Sequence, residues 1–130
     1  MANLTIGVIK EGKIPQDTRV PLIPEDLRRL KNELPGLEVL VEPSEIRCIT
    51  DEEFEAQGIA MTSNLDDCDV LLGVKEVPIA QLINNKTYLF FSHTIKKQDD
   101  NHKHVRTVLD NRIRMIDYEC LTDENGKRII

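Results

Sequence analysis

Residues 69–76, DVLLGVKE, decide the fold class, because their apolar run offers no alternation of polar and apolar side chains. Strict alternation is typical of a strand with one solvated face, whereas an uninterrupted apolar run bounded by charge is typical of a strand buried on both faces. Similar runs occur in residues 4–11, LTIGVIKE, 37–42, LEVLVE, 88–91, YLFF, and 114–119, RMIDYE. The sequence therefore predicts several fully buried strands.

Helical patterns lie between these strands. Residues 24–34, PEDLRRLKNEL, predict a helix, and Pro24 suits its first position. Residues 50–58, TDEEFEAQG, predict a second, short helix with a Thr50/Glu53 capping box at its start and Gly58 at its end. A third helix is expected within residues 94–111, with Val105, Val108 and Leu109 facing inward. Strands separated by helices predict an α/β fold, a Rossmann-like or flavodoxin-like three-layer domain built on a parallel sheet. Asn125–Gly126 adds a C-terminal β-hairpin.

Length and composition exclude several classes of protein. The chain has 130 residues, which suits one globular domain, and its formal charge of −6 argues against a nucleic-acid partner. It has no signal-peptide pattern and no apolar run near the ~20 residues of a membrane helix. Three cysteines, Cys48, Cys68 and Cys120, lack metal-like spacing and are expected to be reduced thiols. We therefore expect a cytoplasmic protein whose partner is a small molecule, with no role for a membrane.

Ionisable residues follow four of the expected strands. Since ligands gather outside the carboxyl ends of parallel strands, these residues should line one crevice. They are Lys10 and Glu11, Lys75 and Glu76, Ser92 and His93 with Lys96 nearby, and Asp117, Tyr118 and Glu119. Taken singly, each lysine could be a solvated surface charge and His93 a hydrogen-bonded structural histidine. His102 and His104 are two apart, so they would not face each other on a helix, and no metal site is expected.

A crevice of this composition suits an amino acid and a keto acid. Arg19 or a lysine can hold carboxylates through charge-assisted hydrogen bonds, and His93 or Lys75 can transfer protons. Nearby carboxylates such as Glu76 or Glu119 would oppose any lowering of the lysine pKa. A redox step would need a nicotinamide, but no G-x-G-x-x-G occurs in the chain.

Six motifs give the chain a family resemblance that covers nearly its whole length. They are RVPLIP (19–24), VEPS (41–44) with Arg47, GVKEVP (73–78), YLFFSHTIKKQ (88–98), IDYE (116–119) and LTDENGKR (121–128). In this order they resemble lysine-forming saccharopine dehydrogenases and lysine–ketoglutarate reductases. More broadly, the chain resembles the N-terminal domain of alanine dehydrogenase and proton-translocating transhydrogenase. FFSHTIKKQ and IDYE favour the saccharopine branch, whereas GVKE and RVPLIP are shared with alanine dehydrogenase.

The resemblance implies roles for several charged residues in or beside these motifs. It makes Lys75 and His93 the catalytic acid–base pair, and Arg19, Lys96 and Glu119 substrate-binding residues. Fungal relatives carry glutamate two residues before the arginine, whereas this chain has the shorter Asp17; Asp17 and Glu76 are candidate tuning residues. The implied reaction interconverts saccharopine with lysine plus 2-oxoglutarate.

The resemblance also implies what surrounds the chain. Residues 1–130 would be a single N-terminal, substrate-side domain, and NAD or NADP would be bound mainly by a Rossmann domain absent from this chain. The isolated chain is then expected to be inactive. Assembly into a homo-oligomer is compatible with the resemblance. Two alternatives also stay open, an alanine dehydrogenase-like enzyme domain and a non-catalytic amino-acid-binding module.

Overall fold

One parallel sheet with helices on both faces makes up the fold. The computed structural model describes residues 3–92 and 102–130. Within them lie β1 (Leu4–Val8), α1 (Pro24–Glu33), β2 (Leu37–Val41), α2 (Asp51–Ala56), β3 (Ala60–Met61), β4 (Val70–Lys75), β5 (Thr87–Phe91), α3 (His102–Asp110) and β6 (Arg114–Asp117). Short 3₁₀ turns cover Ile79–Gln81 and Tyr118–Cys120.

The strands follow the order β3-β2-β1-β4-β5-β6, and every neighbouring pair is parallel. β1 lies inside the sheet, where Ile6 pairs with Val39 of β2 on one side and Val70 of β4 on the other. The order of the strands reverses between β1 and β4, which is the topological switch point at which α/β proteins bind their ligands. The predicted parallel α/β fold is confirmed.

Helices α1 and α2 cover the first face of the sheet. Leu27 of α1 and Phe54 of α2 are fully buried against alternate residues of β1 and β2, among them Val8 and Val41. Pro24 opens α1, and Thr50 caps α2 with the reciprocal Glu53 bonds of a capping box, as predicted. Burial of these apolar side chains at roughly 25 cal/mol per Å² supplies the main stabilisation of this layer.

The second face is covered by α3 and by the connections that flank β4. Tyr88 and Phe90 of β5 pack there with Leu71 of β4, Val108 of α3 and Leu65 from the connection after β3. The Tyr88 and Phe90 rings meet edge to face, with centroids 6.0 Å apart. The Tyr88 hydroxyl accepts a hydrogen bond from the Ile83 backbone N–H at 2.9 Å, so this aromatic residue also holds the β4–β5 connection.

The inward face of α3 differs from the sequence prediction. Val108 is buried as expected, but Leu109 is 72% exposed and Val105 is exposed. His104 takes their place: its Nε2–H donates to the Val77 carbonyl oxygen at 3.0 Å, and its ring meets Phe90 edge to face. The prediction was wrong because it considered only apolar residues for the inward face, whereas a backbone carbonyl on the covering loop accepts the bond from Nε2 inside the layer.

Two smaller elements complete the sheet and the tail. Strand β3 was not predicted, because its two residues are too short to show a pattern. The C-terminal hairpin is present in its shortest form, a single antiparallel bridge between Thr122 and Arg128. Gly126 adopts a positive φ of 78° in its turn, which glycine tolerates at no steric cost.

The three cysteines are free, as predicted, with Cys68 buried and Cys48 and Cys120 exposed. In the part of the chain that the structure describes, no helix has both the length and the apolar content needed to cross a membrane.

Candidate functional site

Polar side chains gather where β1, β4, β5 and β6 end. Because neighbouring strands are parallel, these carboxyl ends lie along one edge of the sheet. The residues there are Lys10 and Glu11 after β1, Lys75 and Glu76 at β4, Ser92 after β5, and Asp117, Tyr118 and Glu119 at β6. Two predicted residues, His93 and Lys96, lie outside the described residues.

Lys75 is the last residue of β4 and is half-buried. Its backbone N–H donates to the Glu11 carboxylate at 2.6 Å. Its ammonium is one of the charges that hold the pKa of Asp17 down, after the larger effect of Arg19. The β1–α1 connection therefore brings acidic groups to Lys75 from two places, one at its backbone and one near its amine.

Arg19 and Asp17 form a close pair beside Lys75. The Arg19 Nη2 lies 2.7 Å from Asp17 Oδ2, and the Arg19 Nε and backbone N–H each donate to Oδ1 at 3.0 Å. These hydrogen bonds lower the pKa of Asp17 to about 2. The Asp17 side chain is only 10% exposed whereas that of Arg19 is 59% exposed. Asp17 thus anchors a guanidinium that remains accessible.

Glu11 connects these groups. Burial raises the pKa of its carboxyl, the Lys75 and Val74 N–H groups act in the opposite direction, and the charges of Asp17 and Arg19 contribute after them. We refer to Glu11, Asp17, Arg19 and Lys75 as the rim cluster. The predicted residues Lys75, Arg19 and Asp17 are therefore brought together, and a residue without a predicted role, Glu11, lies among them.

Glu76 points to a different partner. Its Oε1 forms an ion pair with the Nζ of Lys13, which lies in the β1–α1 connection. This pair ties the connection to the end of β4, one residue after Lys75. The candidate tuning carboxylate is therefore compensated by a lysine of its own.

The ends of β5 and β6 are joined by a buried pair. The Ser92 hydroxyl donates to Asp117 Oδ2 at 2.5 Å, and Asp117 Oδ1 accepts from the Glu119 backbone N–H at 2.9 Å. The Phe91 and Tyr118 rings stack edge to face at 5.0 Å. Burial, and to a smaller extent the charge of Glu11, raises the pKa of Tyr118 to about 12. Asp117 thus fixes the segment that presents Glu119, which is half-buried.

Arg47 is a further polar residue whose place in the structure the sequence did not reveal. It is 8% exposed; its Nη2 donates to the Glu42 carbonyl oxygen at 2.7 Å, and its guanidinium lies 5.3 Å from the Phe54 ring centroid. Its Nη1 lies 3.6 Å from Asp51 Oδ1, four residues along the chain. The four-residue spacing of Arg47 and Asp51 was the sequence signal available for this ion pair. Arg47 joins the end of β2 to the start of α2 and so supports the loop beside the rim cluster.

Two hollows flank the ends of the central strands. One of about 460 Å³ lies between the ends of β1 and β2, where Glu11, Ser44 and Asp51 contribute polar groups. Another of about 580 Å³ opens on the second face, between Lys10, Glu42 and the Tyr88 ring. Both hollows adjoin the end of β1, and of the rim cluster Glu11 lines the first of them.

The β1–α1 connection does not fit a dinucleotide. In a nucleotide-binding Rossmann unit, a short glycine-rich turn brings the helix N-terminus directly against the pyrophosphate. Here residues 9–23 separate β1 from α1, and Pro24 removes one of the N–H groups that would bind phosphate. Among residues 3–92 and 102–130, no group of three or more histidine, cysteine or acidic side chains is arranged to hold a metal.

Comparison with known proteins agrees with this fold. The family model for the alanine dehydrogenase/PNT N-terminal domain matches residues 7–130. The chain belongs to this family. The L-alanine dehydrogenase structure aligns over 95% of the chain and 35% of its own, with a TM-score of 0.76 at 19% identity, which is a likeness of fold.

The relatives in sequence lie in the saccharopine branch, as the motifs predicted. The mitochondrial alpha-aminoadipic semialdehyde synthase of Rattus norvegicus is 39% identical over 114 residues, covering 88% of this chain and 12% of that protein. The Yarrowia lipolytica saccharopine dehydrogenase [NAD(+), L-lysine-forming] is 27% identical over 120 residues, covering 88% of this chain and 32% of the relative. The chain thus spans about an eighth of the rat relative. Since that relative is mitochondrial by name, cytoplasmic location stays a prediction.

Proposed function

We propose that this chain is the substrate-side domain of an NAD(P)-dependent amino-acid dehydrogenase that interconverts saccharopine with lysine plus 2-oxoglutarate. One observation carries the proposal: Lys75, at the end of β4, lies in a cluster with Asp17, Arg19 and Glu11 at the switch-point edge of the sheet. The names of the relatives above indicate the reaction, and the rim cluster contains groups suited to it.

Carboxylate binding is the first task of the site. Saccharopine carries three carboxylates, whereas the chain as a whole has a formal charge of −6, so local cations must hold the substrate. Arg19 suits this because Asp17 fixes its plane, and the guanidinium donors that Asp17 does not engage can grip a carboxylate. We assign Lys96 to a second carboxylate, and Glu119 to a separate task, binding of the substrate amine.

Proton transfer is the second task. Saccharopine, water and oxidised nicotinamide give lysine, 2-oxoglutarate, reduced nicotinamide and one proton. A base must take a proton from the water that attacks the imine carbon, and an acid must protonate the nitrogen that leaves as the lysine amine. We assign these roles to Lys75 and His93 as a pair. His93 follows Ser92, which is buried and hydrogen-bonded to Asp117.

Hydride transfer lies outside this chain in our proposal. A nicotinamide bound there would supply the hydride-accepting chemistry that oxidation of the secondary amine needs. Because the β1–α1 connection does not fit a dinucleotide, we infer that a second, nucleotide-binding domain holds NAD or NADP and closes over the rim cluster. The present chain then contributes substrate contacts and proton transfer, and Asp17 and Glu76 adjust the charge around Lys75.

The test is a substrate comparison with the protein encoded by the complete reading frame. Oxidation of reduced nicotinamide should be seen with lysine plus 2-oxoglutarate, and Lys75→Met should abolish most of it. Lys31→Met, the same change at an exposed lysine in the last turn of α1, is the matched control and should leave the rate unchanged. Turnover with pyruvate plus ammonia and none with lysine plus 2-oxoglutarate would reject the proposal in favour of an alanine dehydrogenase-like enzyme.

A further inference from the structure

The end of β4 departs from regular pairing just before Lys75. Its register with β5 shifts between Leu72 and Lys75. The Val74 and Lys75 N–H groups both donate to one oxygen, Glu11 Oε1, at 2.9 Å and 2.6 Å. In a regular strand, consecutive N–H groups point in opposite directions, so two of them on one acceptor mark a β-bulge, a device that re-aims a side chain.

Glu11 takes the place that a strand partner would otherwise fill. The last backbone bond from the β1 side to β4 is Ile9 N–H to the Leu72 carbonyl oxygen at 3.0 Å. Beyond that point the Glu11 carboxylate reaches across and satisfies both N–H groups of the bulge. A carboxylate that accepts two backbone N–H bonds forms charge-assisted bonds, which are stronger than neutral ones.

Gly73 makes this approach possible. A Cβ added at this position would lie 2.9 Å from Ile9 Cδ1 and 3.2 Å from Glu11 Oε2, closer than ordinary van der Waals contact. The motif GVKE therefore acts as one unit: glycine leaves room for the carboxylate, the next two residues donate to it, and the second of them carries the amine. No part of this arrangement is visible in the local pattern, because Glu11 comes from a distant part of the chain.

We propose that Glu11 is a positioning residue for Lys75, holding the bulge that sets the direction of the Lys75 side chain at the edge of the sheet. It acts through the backbone of Val74 and Lys75. The consequence for catalysis rests on the proposed function, whereas the structural effect on Lys75 does not.

The first arm of the test uses the 130-residue chain itself. In Glu11→Gln, the amide resonances of Val74 and Lys75 and the ¹³C signal of methylated Lys75 should all shift, since a neutral amide holds the bulge less firmly. Gly73→Ala should shift the same signals, because the new methyl group displaces the carboxylate. Asp69→Asn is the matched control: the Asp69 carboxylate also accepts a backbone N–H bond, from Thr5 at 2.9 Å, but it lies before β4, at the opposite edge of the sheet.

The second arm uses the complete enzyme. Glu11→Gln should lower kcat about 10- to 100-fold while the KM for 2-oxoglutarate stays within about twofold, because supporting residues typically act on this scale. Glu11→Asp, which keeps the charge on a shorter arm, should restore part of the rate. Asp69→Asn should change neither constant.

The outcomes separate the two proposals. If the Lys75 signals move in Glu11→Gln but wild-type enzyme does not use saccharopine, positioning stands and the proposed function fails. If Glu11→Gln is folded and its Lys75 signals and kcat both match wild type, or if only its melting temperature falls, the positioning role is overturned.

Discussion

Lys75 and Arg19 reach the rim cluster by different routes. Lys75 is the last residue of a central strand, so its backbone is fixed by β5 and by Glu11. Arg19 belongs to the long β1–α1 connection, and its place depends on the carboxylate of Asp17. A strand holds a side chain more precisely than a loop does, and proton transfer depends on precise placement. This difference predicts different kinetic effects.

Lys75→Met in the complete enzyme should lower kcat by roughly 10²–10⁴-fold if its amine transfers protons. His93→Ala should do the same, because we assign the two residues to one acid–base pair. The pH dependence of kcat/KM should lose one limb in each variant. Rates and pH profiles equal to those of wild type in both variants would remove the assignment.

Arg19→Ala should act mainly on binding. Removing the guanidinium should raise the KM for 2-oxoglutarate with a smaller change in kcat, since a carboxylate contact holds ground state and transition state alike. Arg19→Lys should rescue only part of the effect, because an ammonium cannot form the two-point contact. A fall in kcat at unchanged KM would show instead that Arg19 acts on the chemical step.

The Asp17 carboxyl offers a direct check of the cluster in the chain alone. Its pKa is lowered to about 2 chiefly by hydrogen bonds from Arg19, so the paired form contributes stability above its ordinary value of 3.8, and this contribution is lost as pH falls through about 2. A carboxyl ¹³C titration should show this midpoint in wild type. In Arg19→Ala the midpoint should move up toward 3.8, and an unchanged midpoint would contradict the pairing.

Among the elements, α3 shows how one buried polar side chain sets the orientation of a helix. The bond from His104 to the Val77 carbonyl oxygen turns His104 and Val108 inward, so that Leu109 faces solvent. The α3 layer thereby closes over the aromatic residues of β5, which lead directly to Ser92. The orientation of the helix and the support of the site at β5 are thus linked.

A pair of variants tests which face of α3 is buried. Val108→Ala should lower the free energy of unfolding by about 2 kcal/mol, since two buried methyl groups are lost. Leu109→Ala should change it by no more than ~0.5 kcal/mol, because this side chain is 72% exposed. Urea unfolding of both variants gives the comparison, and a larger loss in Leu109→Ala would mean that α3 faces the other way.

For α2, the capping box can be measured in the same way. Thr50 Oγ1 accepts from the Glu53 N–H at 3.2 Å, and Glu53 Oε2 accepts from the Thr50 N–H at 2.7 Å. Thr50→Ala should therefore cost about 1 kcal/mol of unfolding free energy. Ser63→Ala, an exposed change between β3 and β4, should cost much less. Equal losses in the two variants would argue that the cap adds nothing.

For the whole molecule, the sheet divides the work between its two halves. Helices α1 and α2 pack on the half formed by β1, β2 and β3. The other half is formed by β4, β5 and β6, and Lys75, Ser92 and Glu119 lie at the ends of these strands. The rim cluster joins the halves, because Glu11 comes from the β1 side and Lys75 from β4. An open edge of this kind needs a second wall before water can be excluded from a reaction.

The purified 130-residue chain should accordingly show no nicotinamide-dependent turnover of saccharopine, or of lysine with 2-oxoglutarate. Absorbance at the nicotinamide band, followed over hours at high protein concentration, is a sufficient measurement. The complete protein, assayed in parallel, is the positive control. Measurable turnover by the chain alone would refute the division of labour proposed above.

Local patterns were enough for the fold class but not for the contacts that shape the site. The apolar runs, the Thr50 cap and the Asn125–Gly126 turn each depend on neighbours in sequence, and all were predicted correctly. The bulge at Gly73 depends on Glu11, and the inward face of α3 depends on Val77. Such pairs become visible only when the chain is folded, and the positions of His93 and Lys96 remain predictions.

The place of β1 in the sheet has a consequence for how the chain is made. Of the six strands, β1 leaves the ribosome before the others and β2 can join it early, yet Ile6 must wait for Val70 before its other side is paired. Until β4 is paired, the N–H and C=O groups along this edge of β1 are unpaired and can pair with other chains. Long-range parallel pairing is slow, so this exposure lasts. We therefore expect nascent chains that end before β4 to bind chaperones. Longer nascent chains should release the chaperone once β4 has paired with β1.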